Sequence, residues 1–197
     1  MHPIRHFITI TKHRHRVIAH AFRAGIGFQG LWHDLSKYSP AEFWVGAKYY
    51  TGKRSPNEGE RAEYGYSAAW LHHKGRNRHH FEYWVDYVLL PEGKITYAGN
   101  PMPMKYVAEM FCDRIAASRV YQGENYTDDK PYEYFMNARD DIDGLMHPDT
   151  ARELETMLTV LKEKGEDAAF AYVRRRLRRD RRRRGAGLLL HHRGELT

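Results

Sequence analysis

The placement of helix starts and stops constrains this chain more than any other feature. Residues 8–24 contain no Gly or Pro and form an amphipathic segment, which Gly25, Gly27 and Gly30 then end. A short second helix is expected over 31–38. Ser39-Pro40-Ala41-Glu42 is a capping box with Pro at the first helical position, so a third helix should start there and run to about residue 50. Ser55-Pro56-Asn57-Glu58 repeats the signal, but Gly59 and Gly65 weaken the segment after it and confine the expected helix to 66–73. Further helices are expected over 79–89, 103–121, 131–140, 148–164 and 166–179, with Gly165 as the stop between the last two. Residues 91–103 hold two Gly and three Pro without a period and read as a loop. No segment sustains period-two alternation, so no sheet is expected. The fold class is all-α, a single-domain helical bundle.

Composition narrows the setting. A chain of 197 residues with 42% hydrophobic and 13% aromatic residues is globular and long enough for a real core. The single cysteine, Cys112, excludes an internal disulfide and suits a reducing, cytoplasmic compartment. No apolar run is long enough to span a membrane, and the start Met1-His2-Pro3-Ile4-Arg5-His6 lacks the apolar stretch of a secretory leader. The net charge of +7 is local. Residues 174–184 carry nine Arg and one Asp, or +8, which leaves the remainder at −1. The expected organisation is a body over 1–173 and an Arg-rich tail over 174–197. That tail is expected to be partly disordered and able to touch a polyanion through 174–184.

The chemistry lies in 13 clustered histidines. His13, Val17 and His20 share one face of the first helix. His33 adjoins Asp34, with Lys37 three residues on, and His72-His73 and His79-His80 flank the turn Gly75-Arg76-Asn77. Asp113 lies one turn after Glu109, beside Ala116 and Ala117. Taken singly, each has a bland explanation. His15 or His20 suits a helix surface or a satisfied core, Lys37 a solvated helix, Glu109 a helix-face acid, and Glu42 is accounted for by the capping box. His2, His6, His147, His191 and His192 are read as incidental, and Trp70, Phe81, Tyr83 and Trp84 as core packing.

Taken in order, these residues resemble the HD-domain superfamily of metal-dependent phosphohydrolases, whose pattern is His…His-Asp…Asp. His33-Asp34-Leu35-Ser36-Lys37 is similar to its His-Asp motif, with Ser36 where Gly is usual, and the helix around Asp113 is similar to its final Asp motif. His13 has the Val four residues on that marks the first-helix motif, and His15 and His20 are the alternatives. The runs HDLSKYSPAEF (33–43), WLHHKGRNRHH (70–80) and PMPMKYVAEMFCDRIAA (101–117) closely resemble a small, functionally uncharacterised bacterial and phage family, over about residues 6–175. The superfamily resemblance implies one metal held by His13, His33, Asp34 and Asp113. A second would sit on His73 with His79 or His80, with Asp34 as the bridge. Imidazole and carboxylate ligands suit Mn, Fe, Co, Ni or Zn. Lys37, Lys74, Arg76 and Asn77 become candidate phosphate contacts, and Asp34 a proton acceptor as well as a ligand. His20, His72 and Glu109 are candidates to orient the ligands. The implied activity is hydrolysis of a small phosphorylated substrate such as a nucleotide. The alternatives are a di-iron oxygenase on the same scaffold and a non-catalytic nucleotide- or nucleic-acid-binding protein.

Overall fold

A computed structural model describes the backbone of residues 1–194 and the side chains of residues 1–183. Helices dominate the chain and form one compact domain. α1 (Pro3–Ala24) starts five residues before the expected point, because Pro3 opens it at the first helical position. α2 is a single turn (Gly27–Gly30), and only Leu35–Tyr38 of the expected second helix is helical, as a 3-10 turn. α3 (Pro40–Lys48), α4 (Pro56–Tyr64) and α5 (Ala68–Lys74) come next. α4 forms despite Gly59, which packing requires. A Cβ there would lie 2.8 Å from the Tyr49 ring.

Residues 79–89 are not a helix, and the chain does contain a sheet. A 3-10 turn (Phe81–Trp84) leads into β1 (Val85–Leu89), which pairs antiparallel with β2 (Ile95–Gly99) in the register Val85↔Gly99 to Leu89↔Ile95. Gly93, at φ 80°, lies in the connecting turn, within the segment read from sequence as a loop. The strands are five residues each, too short to stand out as period-two alternation among so many aromatics.

α6 (Met104–Gln122) is enclosed through its middle, with Val107 to Cys112 buried without interruption, as befits a central helix. It packs on α1 along one side and on α7 (Lys130–Asn137) and α9 (Pro148–Gly194) along others, with α8 (Arg139–Ile142) between those two in sequence. The core joins Val17, Phe111, Ile115, Phe135, Leu158 and Phe170. Gly165 interrupts α9 at φ 75°, ψ 176°, the expected break.

The 173/174 boundary does not coincide with any break in the structure. α9 runs through it, Arg174 donates to the Arg23 carbonyl at 2.6 Å, Arg176 pairs with Glu153, and Leu177 is 4% exposed in the core. Side chains from 184 onward lie outside the described residues. No helix among the described residues is long and apolar enough to cross a membrane. Leu177→Ala should therefore cost about 2–3 kcal/mol in urea unfolding, near the lower end of the range for buried leucines because it sits at the end of the core. A chain ending at residue 173 should lose more, and an unchanged midpoint for that truncation would restore the 173 boundary.

Candidate metal centre

Four pieces of the chain converge on one buried carboxylate. α1 supplies His13. α2 presses against α1 at Gly30, where a Cβ would lie 2.4 Å from Ala21 Cβ. The turn after it delivers His33 and Asp34, held from α1 by Arg14, which donates to the carbonyls of His33 and Leu31. Asp34 is the one non-glycine at positive φ among the described residues (φ 52°, ψ 26°). That conformation costs roughly 1–2 kcal/mol for an L-residue, and Asp is among the types that tolerate it. α5 supplies His73, the turn beyond it His79 and His80, and α6 contributes Glu109 and Asp113.

The donors fall into two sets around Asp34. Its Oδ2 lies 3.4 Å from His33 Nε2 and 3.8 Å from His13 Nε2, and Asp113 Oδ1 lies 2.9 Å from His13 Nε2 and 3.6 Å from His33 Nε2. Its Oδ1 lies 3.3 Å from His73 Nε2 and 3.4 Å from His79 Nε2, while His73 Nε2 and His80 Nε2 face each other at 2.9 Å. The sets His13–His33–Asp34–Asp113 and Asp34–His73–His79–His80 each bring one ligand atom per residue within 4.8 Å of the others, close enough to hold a metal ion.

The donor chemistry fits such an ion. His33 Nε2, His79 Nε2 and Asp34 Oδ1 are buried without a hydrogen-bond partner, while His13 Nε2 faces Asp113 and Asp34 Oδ2 faces Lys37. Orphaned buried polar atoms are costly, and here they all point inward together. The opposite nitrogens of His33, His79 and His73 are satisfied. Glu109 Oε1 is 2.9 Å from His33 Nδ1 and 3.3 Å from His79 Nδ1. Glu42 binds His72 Nδ1 at 2.6 Å and His73 Nδ1 at 2.8 Å. A carboxylate on Nδ1–H fixes the tautomer and leaves Nε2 as the free lone pair, the usual arrangement behind a ligating histidine. His33, His79 and Glu109 form a third group close enough for a metal, but both imidazoles face Glu109 through Nδ1, as hydrogen-bonded partners do.

Charge balance points the same way. Burial opposes the charge on Asp34, but His33 and Lys37 outweigh it and hold its pKa well below the usual carboxylate range. Burial also opposes ionisation of Asp113 and Glu109; His13 and His33 keep Asp113 far below its usual range, and His33 and His79 hold Glu109 at about 2. His33 is raised to about 10, since Asp34 and the other two acids overcome its burial, whereas burial and the Lys37 charge push His13 down. Without a metal, the His33 imidazolium and Lys37 balance these acids; a bound cation would replace the proton on His33 Nε2.

A family model described as a family of unknown function (DUF5662) matches residues 2–160. The chain belongs to this family. All seven residues expected as ligands lie within the matched span. No curated protein and no solved structure matches the chain.

Not every expected residue joins the site. His20 Nδ1 donates to the Cys112 carbonyl (3.3 Å) and the ring packs on Phe170. His15 is exposed. Asn77 is not free for a substrate. Its amide nitrogen donates to Ser36 Oγ and to the His73 carbonyl, both at 2.8 Å, so it braces His73. Arg76 is exposed and donates to the His72 carbonyl, while Lys74 is half-buried. Lys37 Nζ sits 2.5 Å from Asp34 Oδ2 and stays partly exposed. Glu42 is no capping residue. Ser39 at the helix start makes no side-chain cap, and Glu42 is committed to His72 and His73. Asp34→Asn should thus lower metal capacity at both sets. Glu42→Gln, which leaves one imidazole N–H without an acceptor, should weaken only the His73 set, by about 10–100-fold. Elemental analysis after dialysis against graded metal distinguishes these outcomes, and equal loss at both sets in Glu42→Gln would contradict the assignment.

Proposed function

We propose that this chain is a metal-dependent phosphohydrolase that holds two divalent transition metals across Asp34. The observation that carries this reading is the Asp34 carboxylate itself, with each oxygen buried and turned to a different set of imidazole Nε2 atoms. The order of ligands along the chain, and their resemblance to the HD-domain superfamily, support hydrolysis of a phosphoester. The chemistry that metals supply at such a centre is Lewis acidity, which makes water a competent nucleophile near neutral pH and draws charge from a phosphoryl oxygen.

The residues divide the remaining work. Asp34, kept ionised by His33 and Lys37, would hold metal in either donor set and is a poor base. Lys37 is the cation at the open edge. Burial opposes its charge, but Asp34 and Asp113 raise its pKa, so the ammonium persists beside the centre and can meet a phosphoryl oxygen. Glu42 and Glu109 orient the histidines and exclude wrong tautomers.

Protein loaded with Mn or Co should hydrolyse generic phosphomonoesters or phosphodiesters or a nucleotide from a panel of mono- and cyclic dinucleotides. Asp34→Asn should abolish that activity. Lys37→Met should lower kcat by about 10²–10³-fold, the scale for one lost electrostatic contact to the transition state. Silence of the metal-loaded wild type across every panel would overturn the reading, and oxygen uptake by the iron-loaded protein without phosphatase activity would replace it with the di-iron alternative.

A further inference from the structure

Two more orphaned atoms belong to a single side chain outside the ligand sets. Arg114 Nε and Nη1 are buried and make no hydrogen bond, and among the described residues no carboxylate forms an ion pair with this guanidinium. Its Cζ stands 5.7 Å from the Tyr134 ring centroid and 5.5 Å from that of Phe135. These contacts offset only part of the cost of burying a charge. Other arginines of the chain have acceptors: Arg23 and Arg119 share Glu166, and Arg176 has Glu153.

Arg114 is the neighbour of Asp113 on α6, so its side chain leaves the helix about a third of a turn from a ligand. Asp113 and Lys37 are partly exposed, with side chains at 18% and 30%, so the centre meets solvent where Asp113 stands on α6. Tyr134, which flanks the Arg114 guanidinium, is itself exposed.

We propose that Arg114 is an anion clamp, whose Nε–H and Nη1–H donate to a phosphoryl oxygen of the substrate beside Asp113. The identity of the anion rests on the phosphohydrolase reading; the two unpaired donors do not. Charge-assisted donors to a desolvated oxyanion are among the stronger hydrogen bonds in proteins.

The test titrates inorganic phosphate calorimetrically into the full chain, both metal-free and Mn-loaded, for wild type, Arg114→Gln, Arg114→Lys and Arg114→Met. Wild type should bind phosphate. Arg114→Gln and Arg114→Met should weaken it by about tenfold to hundredfold, and Arg114→Lys should recover part of the loss. Metal content should stay at the wild-type level, and Arg114→Met should unfold at the same or higher urea concentration, since it removes an uncompensated buried charge. Wild-type phosphate affinity in Arg114→Gln, no phosphate binding by wild type, or loss of stability without change in phosphate affinity would each overturn the clamp. If phosphate binding depends on Arg114 while wild type hydrolyses no phosphoester, the clamp stands and the hydrolase reading falls. If hydrolysis persists in Arg114→Gln with unchanged KM, the reading stands and the clamp falls.

Discussion

The buried carboxylate of Asp34 is the constraint around which the structure is arranged. It is enclosed, held at positive φ, and left without a hydrogen bond at Oδ1. Each of these conditions is unfavourable alone. They coexist because α1, the turn after α2, the end of α5 and the middle of α6 all meet there, each with nitrogen or oxygen donors. Buried carboxylates and imidazole nitrogens gathered at one point in this way could hold a metal ion.

Two further carboxylates turn this cluster into an ordered site. Glu109 spans His33 and His79, and so ties the two donor sets together from behind. Glu42, on α3, spans His72 and His73 and so fixes one imidazole of the second set. Ser36 Oγ lies 3.2 Å from His73 Nδ1, and the Asn77 amide ties that hydroxyl to the His73 carbonyl. Ligand orientation is thus set by tertiary hydrogen bonds between elements and does not depend on the rotamer of any one residue.

Much of this was legible in the chain. Helix positions could be read from Pro and Gly punctuation, and the seven expected ligands converge as two sets about Asp34. What escaped was tertiary. Glu42 has a complete local explanation in Ser39-Pro40-Ala41-Glu42, and its actual partners lie 30 and 31 residues away. His20 shares the α1 face of His13 but stands two turns further along, about 10 Å, which carries it past the site. Asn77 sits in a turn that reads as solvated, whereas its amide is consumed internally. β1 hid at the end of an aromatic stretch that suited a helix equally well, and β2 within 91–103, whose Gly and Pro read as a loop. The start of the arginine run did carry a signal: Phe170, Val173 and Leu177 continue one apolar stripe at helical spacing through the charges.

The most direct test is anomalous scattering from crystals of the full chain grown with Mn. The account predicts two ions roughly 3.5–4 Å apart. One lies among His13, His33, Asp34 and Asp113, and the other among Asp34, His73, His79 and His80. A single ion seated on Glu109 with the Nδ1 atoms of His33 and His79, or a folded protein with no ion at Asp34, would contradict it.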